Sequence, residues 1–337
     1  GLGVVGLRAI SRVAGGGGAL GDATVRGAAV DVALGLRSMF NKPEIIALLR
    51  SDDGEAYWRS VLHHGIDGGL QAVLDEYVHV LLESEGLQDA DSDERADRIA
   101  AVVSDALSTR TATNVVEEVA VESGSLRLTP HRMGSHFAAR YGRAQSDDKA
   151  VVREGAVRVA YNSPFRPFVL ASTSVGQEGL DFHTYSHAIV HWNLPGNPVD
   201  LEQREGRVHR YKGHAVRKNV AHDHRPAALD PAYDDPWEAV FSSAVGARSD
   251  EESEVVPFWV YPRAEGAAIE RYVPAQPLSR ELQHYRRLLR TVVTYRQLLG
   301  QPRQDDLLRT VGASAAWMRI ELAAPLMAQP ELEQHGR

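Results

Sequence analysis

Two stretches of the chain have side chains and spacings suited to chemistry. The first runs from Phe168 to Asp181. An apolar run, Phe168 to Thr173, ends in the hydroxyls of Ser172, Thr173 and Ser174 and then a loop with Gly176 and Gly179 on either side of Glu178. Glycines let a ligand come close to the backbone, and successive N–H groups in such a loop can hold an anion. Taken alone, this stretch fits a plain strand-to-helix turn equally well. The second runs from Asn193 to Arg210 and reads as a helix, with Asn197 as N-cap and Pro198 in the first helical position. On that helix Gln203, Arg207 and Arg210 fall at i, i+4 and i+7 and share one face, while Leu201 and Val208 share another and are expected to pack on a sheet. Gly206 in mid-helix costs about 1 kcal/mol relative to Ala, which points to close approach by another backbone or a ligand. Two guanidiniums one turn apart repel each other unless an anion lies between them. A solvated basic helix face explains neither the glycine nor the Gln-Arg-Arg register.

The elements around these stretches form two patterns. Residues 1 to 120 read as helical. Leu70, Val73, Leu74, Tyr77, Val78, Leu81 and Leu82 follow one helix face. A second helix spans about Asp91 to Leu107, with Asp91 and Glu94 placed as a capping box and Ile99, Val102, Val103 and Ala106 as its stripe. A third starts at Asn41 and Pro43 and runs through Ile45, Ile46, Leu48 and Leu49. Gly15 to Gly18 read as a flexible turn or linker. From about Gly124 short strands alternate with helices. Phe168 to Thr173 and Ala188 to Trp192 are compact apolar runs of the kind found in buried parallel strands, and Val255 to Tyr261 could add another. Leu278 to Leu299 is a long helix stopped by Gly300 and Pro302. The alternation implies an α/β fold, a doubly wound parallel sheet with function on the loops at the strand C-terminal ends. The expected divisions are a helical linker or insertion over 1–122, the α/β domain with a helical extension over 123–300, and a helical tail over 301–337. There are no internal repeats.

Composition narrows the class. The chain has 337 residues, 43% of them hydrophobic and 24% charged, enough for two compact units of ordinary globular protein. No run of eighteen apolar residues or secretory leader is visible, so the expected setting is the cytoplasm with no membrane partner. The absence of cysteine excludes disulfides and thiolate metal sites. A net charge of −8 argues against binding nucleic acid over the whole surface and leaves a local basic strip as the alternative. A first residue of Gly1 rather than Met suggests a fragment or a processed product.

Three look-alikes carry little. Asp75-Glu76-Tyr77-Val78-His79 faintly resembles an acidic magnesium-binding motif, but its His is one place late and the surrounding apolar period is helical. The glycines near Gly15 lack the Gly-Lys-Ser/Thr that a phosphate loop needs, and no Gly-Lys pair occurs in the chain. Among fourteen histidines, His187 and His191 are i, i+4 but lie in an expected strand, where that spacing does not bring their side chains together as on a helix, and His222-Asp223-His224 reads as a loop triplet without a third ligand. No metal-ligating residue is assigned.

Together the two opening stretches resemble motifs V and VI of superfamily two helicases, most closely the Swi/Snf-like branch. That branch has a Ser-Thr strand end, then Gly-x-Glu-Gly-Leu-Asp, an Asn-Pro helix start and Gln-x-x-Gly-Arg-x-x-Arg, and each position is filled here. The match is tight over about 50 residues and looser from Leu126 to Gly300. His136 to Gly142 and the helix into Tyr161-Asn162 fit the upstream part of such a lobe, with Leu126 to Leu128 as the best candidate for its first strand. Tyr211-Lys212-Gly213-His214 departs from the pattern by one added residue.

The resemblance implies a RecA-like C-terminal lobe whose ATP and Mg2+ are held mainly by an N-terminal lobe of the same protein. It implies Arg207 and Arg210 as arginine fingers and Gln203 as support for the phosphate or water. Gly176, Glu178, Gly179, Asp181 and Gly206 would line the nucleotide cleft, and Ser172 and Thr173 would couple it to the nucleic-acid track. Arg204, Arg207, Arg210, Lys212, Arg217 and Lys218 put six basic residues within fifteen. Some of these are expected on nucleotide phosphate and others, with Arg204 among them, on nucleic-acid backbone. The branch favours duplex DNA; RNA stays open on sequence. The competing class is a non-catalytic interaction or scaffold module that keeps the fold, against which the intact Gln203, Gly206, Arg207 and Arg210 set argues. A stand-alone hydrolase lacks any nucleophile, base or metal constellation.

Overall fold

The computed structural model describes residues 1–49, 56–67, 69–108, 112–122, 125–135, 148–165, 167–172, 181–249, 252, 254–274 and 279–299. These form two compact units. One comprises Gly1–His187 with Arg207–Ile269, the other Ala188–Gly206 with Glu270–Arg337.

The first unit opens with six helices, α1 (Leu2–Val13), α2 (Ala23–Phe40), α3 (Pro43–Leu49), α4 (Tyr57–Asp67), α5 (Leu70–Ser84) and α6 (Ser92–Ser108). Local chemistry explains their starts. Asp22 caps α2 by accepting the Thr24 amide at 2.7 Å, and Asp91 caps α6 by accepting the Glu94 amide at 2.9 Å. Gly15 to Gly18 form no loose linker. Gly15 and Gly16 take left-handed φ of +112° and +75°, and the chain enters a 3-10 turn at Gly16–Gly21. Ile10, Val13, Val25, Val32, Leu36, Leu74, Tyr77, Val78, Ile99, Val103 and Leu107 make one continuous core of α1, α2, α5 and α6. Helices cross tightly where small residues allow it. A Cβ on Gly6 of α1 would lie 2.7 Å from the Ala29 carbonyl oxygen of α2. Helices α3, α5 and α6 lie where the sequence places them, though Val73 of the expected α5 face is exposed.

The helical reading to residue 120 does not hold. Helix ends at Ser108, and β1 (Ala112–Glu122) pairs antiparallel with β2 (Ser125–Ser135) in full register from Ala112↔Ser135 to Glu122↔Ser125. Leu126 and Leu128, expected to open a buried parallel sheet, lie in β2 with 73% and 55% of their surface exposed. Period-2 alternation in Val115-Val116-Glu117-Glu118-Val119-Ala120-Val121 is weak, which lets this segment pass as helix on periodicity alone. Next comes α7 (Asp148–Tyr161), as expected upstream of Asn162. Further along are α9 (His214–His224) and α10 (Pro236–Gly246), whose Val216, Val220, Val240, Phe241 and Ala244 form a second core with Trp237, Phe258 and Tyr261. His222-Asp223-His224 closes α9 and is not a loop triplet. Val255–Tyr261 forms turns, not a strand.

The second unit contains β3 (Ala188–Val190), α8 (Pro198–Glu205), β4 (Glu270–Tyr272) and α11 (Glu281–Leu299). β3 and β4 are parallel, in register Ala188↔Glu270 to Val190↔Tyr272. This is the parallel pairing expected of the Ala188 run, but the strand is not buried: Val190 is 59% exposed. Among the described residues the parallel sheet has these two strands. Leu201 of α8 is buried against Leu288, Leu289 and Val292 of α11, so its partner is a helix and not the sheet. The long C-terminal helix is present, starting at Glu281; its stop at Gly300 and Pro302 and the tail over 301–337 lie outside the described residues. No helix of the described residues is long and apolar enough to cross a membrane.

Candidate functional site

The segment Asp181–Thr184 and the loop from Arg207 to His214 lie side by side in the first unit. The Phe182 amide donates to the Arg207 carbonyl at 2.9 Å, and the His214 amide donates to the His183 carbonyl at 2.9 Å. Asn162, just past α7, donates through its side-chain amide to the Asp181 carbonyl at 2.8 Å. Arg210 Nε meets Asp181 Oδ1 at 2.7 Å. The end of the glycine-rich stretch and the arginine pair, 26 residues apart from Asp181 to Arg207 in the chain, are thus joined by backbone and side chain. Burial pushes the His183 imidazole below its usual range, and burial with the Arg217 charge pushes His214 down to about 4. Both rings are therefore neutral near pH 7 and add no charge beside the arginines.

The two arginines differ in setting. Arg207 is buried, at 7% exposure, and does not face bulk water. Arg210 has 45% of its side chain exposed and Asp181 has 49%. The expectation that Gln203, Arg207 and Arg210 share one helix face is not met. α8 ends at Glu205, with Gly206 as its C-cap and the Gly206 amide closing on the Glu202 carbonyl at 2.7 Å. Gly206 lies just past the last helical residue, at φ −58° and ψ −14°, and so incurs no mid-helix penalty. Arg207 follows in a turn, and Arg210 lies where the backbone has no regular structure. The start of α8 is as the sequence implies: Asn197 accepts the Asp200 amide at 2.8 Å, with Pro198 in the first turn.

In the second unit Gln203 is exposed on α8. Arg204 donates to the Asn193 carbonyl at 2.7 Å and does not pair with Glu205 or Asp200. Glu205 is instead gripped at both carboxylate oxygens by Arg271 of β4, each at 2.5 Å, with His191 Nε2 3.3 Å away. Burial pushes the Glu205 carboxyl up, but hydrogen bonds from His191 and Arg271, with the Arg271 charge, more than offset it and hold it below the ordinary value.

Of the run expected as a buried strand, Phe168 to Ser172 are described and form none. Residues 167–172 have no regular structure, Phe168 and Val169 are 68% and 84% exposed, and Ser172 is exposed. Thr173, Gly176, Glu178 and Gly179 lie outside the described residues, as does His136 to Gly142. Phe168 borders a cavity of about 210 Å³ lined also by Tyr161, Ser163, Pro164, Pro167 and Tyr185.

The basic strip is largely absorbed within the fold. Arg217 is buried at 7% exposure, donates to the Lys212 and Thr184 carbonyls, and stacks over Tyr185 and Trp237. Lys212 Nζ binds Glu83 Oε1 at 2.7 Å. Neither is a free contact for phosphate. Lys218 is exposed. The groups that hold this region from the other side, Glu76, His79 and Glu83 of α5 together with Tyr185, gave no signal in sequence: the Glu76–Tyr185 and Glu83–Lys212 contacts join residues 109 and 129 apart. Glu76 and His79 fall in the pentapeptide set aside as a helix face, and they do occupy helix α5. No group of three His, Asp or Glu side chains with metal-ligand geometry occurs among the described residues.

No curated protein and no solved structure matches the chain. Residues 121–212 match the family model of the helicase conserved C-terminal domain, a stretch that includes both Phe182 and Arg207.

Proposed function

We propose that this chain is the C-terminal lobe of an ATP-driven nucleic-acid translocase of the Swi/Snf-like kind, working on duplex DNA. In this reading Arg207 and Arg210 act on the terminal phosphate of ATP, which a companion RecA-like lobe holds together with Mg2+. The observation that carries it is the backbone bond from Phe182 to Arg207. It locks the arginine loop against the segment ending the glycine-rich stretch, within a region that matches the helicase C-terminal family. A backbone anchored in this way limits where the guanidinium can sit, which suits charge stabilisation because less reorganisation is needed as the phosphate charge develops. Arg210 reaches the phosphate by exchanging one anion for another. Its present partner, Asp181, forms a half-exposed pair worth about 0–1 kcal/mol, little to give up for a phosphate oxygen. Gln203 supports the phosphate or water, and Gly176, Glu178, Gly179 and Gly206 line the cleft. Ser172, Thr173 and Arg204 serve the nucleic-acid track. Cleft closure and reopening with each ATP would then step the lobes along DNA.

The test is DNA-stimulated ATP hydrolysis by the protein that includes its companion lobe. Arg207→Ala is expected to lower turnover by roughly 10³ to 10⁵, the worth of an arginine finger. The thermal melt and the protection of the Phe182 amide report whether the variant stays folded. The 337-residue chain alone is expected to hydrolyse ATP negligibly. Wild-type turnover by a folded Arg207→Ala protein refutes the finger role, and absence of turnover by the folded wild-type protein with its companion lobe favours the scaffold reading.

A further inference from the structure

Helix α5 presents a polar stripe to the segment that carries the arginines. Glu76, His79 and Glu83 are spaced i, i+3, i+7, so they share one face. Each meets a partner beyond residue 184. Glu76 Oε2 accepts from the Tyr185 hydroxyl at 2.5 Å and Oε1 lies 3.8 Å from Arg217 Nε. His79 Nδ1 is 3.4 Å from Asp235 Oδ1. Glu83 Oε1 binds Lys212 Nζ at 2.7 Å.

Lys212 is the point where these contacts bear on the arginine loop. It lies two residues after Arg210 with a left-handed φ of +47°, a conformation a non-glycine residue keeps only when its surroundings hold it there. Three sets of contacts do so. Its amide donates to the Phe258 carbonyl at 2.7 Å, its carbonyl accepts from Arg217 at 3.1 Å, and its ammonium is held by Glu83. The ammonium also sits over the faces of Phe241 and Tyr211, at 4.7 and 5.4 Å from the ring centres, with 16% of the side chain exposed. A mostly desolvated ammonium between aromatic faces and one carboxylate has a defined position. The Gly213 amide then closes on the Arg210 carbonyl at 3.1 Å, so the anchor sits next to the finger.

We infer that Lys212 and Glu83 are positioning residues for the arginine loop, and that α5 of the N-terminal helical region is a working part of the nucleotide site. Neither residue touches substrate; they fix the backbone from which Arg207 and Arg210 project. The functional half of this inference rests on the finger reading above, and the structural half does not.

Two measurements on the protein with its companion lobe separate them. The first is hydrogen exchange at the amides of Lys212, Gly213, His214 and Arg217. In Glu83→Gln and Lys212→Met these amides are expected to exchange at least tenfold faster while the α1–α2 amides are unchanged. The second is DNA-stimulated ATPase. Both variants are expected to lose on the order of 10²-fold in kcat, the effect of misplacing a reacting group by about 1 Å, with KM for ATP unchanged, and Lys212→Arg is expected to restore most of the loss. Unchanged exchange in Glu83→Gln and Lys212→Met overturns the anchor. Faster exchange with unchanged kcat overturns its link to catalysis. Faster exchange in the two variants, when the wild-type protein with its companion lobe hydrolyses no ATP, keeps the anchor and overturns the finger reading instead.

Discussion

Replacing Arg271 by Met removes the cation that ties β4 to the end of α8 and leaves the Glu205 carboxylate with His191 alone. Arg271 and Glu205 are 28% and 14% exposed in their side chains, and both carboxylate oxygens receive a nitrogen at 2.5 Å. Removing one partner from a fully buried pair costs about 3–5 kcal/mol, because the other charge is stranded. Partial exposure of Arg271 and the His191 contact at 3.3 Å reduce that to about 2–3 kcal/mol. Because the affected element is α8, the sensitive assay is local: native-state exchange at amides of α8, including that of Gly206, which closes on Glu202. A loss of 2–3 kcal/mol in local stability makes exchange faster by about 30- to 150-fold. The double variant Arg271→Met with Glu205→Gln strands no charge, and is expected to return to within about 1 kcal/mol of the parent. The pH dependence has a definite sign. Glu205 titrates lower when folded than its ordinary 4.5, so its contribution is complete above pH 4.5 and is lost as pH falls through the folded value. After correction for intrinsic exchange, α8 protection in the parent should hold from pH 7 down to about 4.5 and fall below it. Exchange within threefold of the parent in Arg271→Met would show that the carboxylate is not stranded and that the ion pair does not hold α8.

Gly6→Ala places a methyl 2.7 Å from the Ala29 carbonyl, a contact that backbone must move to relieve; a stability loss of about 1–3 kcal/mol is expected in thermal melts, and an unchanged melting temperature would disprove the tight α1–α2 crossing. Leu201→Ala opens a cavity against Leu288, Leu289 and Val292 at a side chain only 1% exposed, and is expected to cost about 2–5 kcal/mol, read as weakened exchange protection of α8 and α11 together. Loss of protection in α8 alone would mean that the two helices do not share that core.

Local chemistry in the sequence was legible. Asn197 and Pro198 announce the start of α8, Asp91 the start of α6, and the spacing from Leu70 to Leu82 the buried face of α5, because each signal is contained within one or two turns. The end of α8 was not legible. Gln-x-x-Gly-Arg-x-x-Arg has a helical period, and continuing the helix through Arg210 would need the Arg207 carbonyl to accept the Tyr211 amide. That carbonyl instead accepts Phe182 from a segment 25 residues earlier, and Lys212 turns left-handed, so tertiary bonds take the groups a longer helix would use. The apolar run at Phe168 failed as a strand for a related reason: apolar content records an affinity for a core but not which neighbour supplies one, and Phe168 and Val169 are left mainly exposed.

The basic strip shows the same limit in charge. Six cations within fifteen residues read as a surface for phosphate because no acid among them is numerous enough to neutralise the set. The compensating anions are elsewhere in the chain. Glu83 and Glu76 on α5 meet Lys212 and Arg217, and Asp181 meets Arg210. Charge pairs leave no periodic trace when their partners are more than a hundred residues apart, so a local count of cations measures only half of the electrostatics. What the fold removes from the count also sharpens it. With Lys212 and Arg217 committed to α5 and Arg204 to the Asn193 carbonyl, the half-exposed Arg210 is left as a cation of the strip whose present anion is weakly held. On the function proposed above, a cation in that state, on a loop fixed at Arg207 and Lys212, would exchange its carboxylate for a phosphate oxygen in each catalytic cycle.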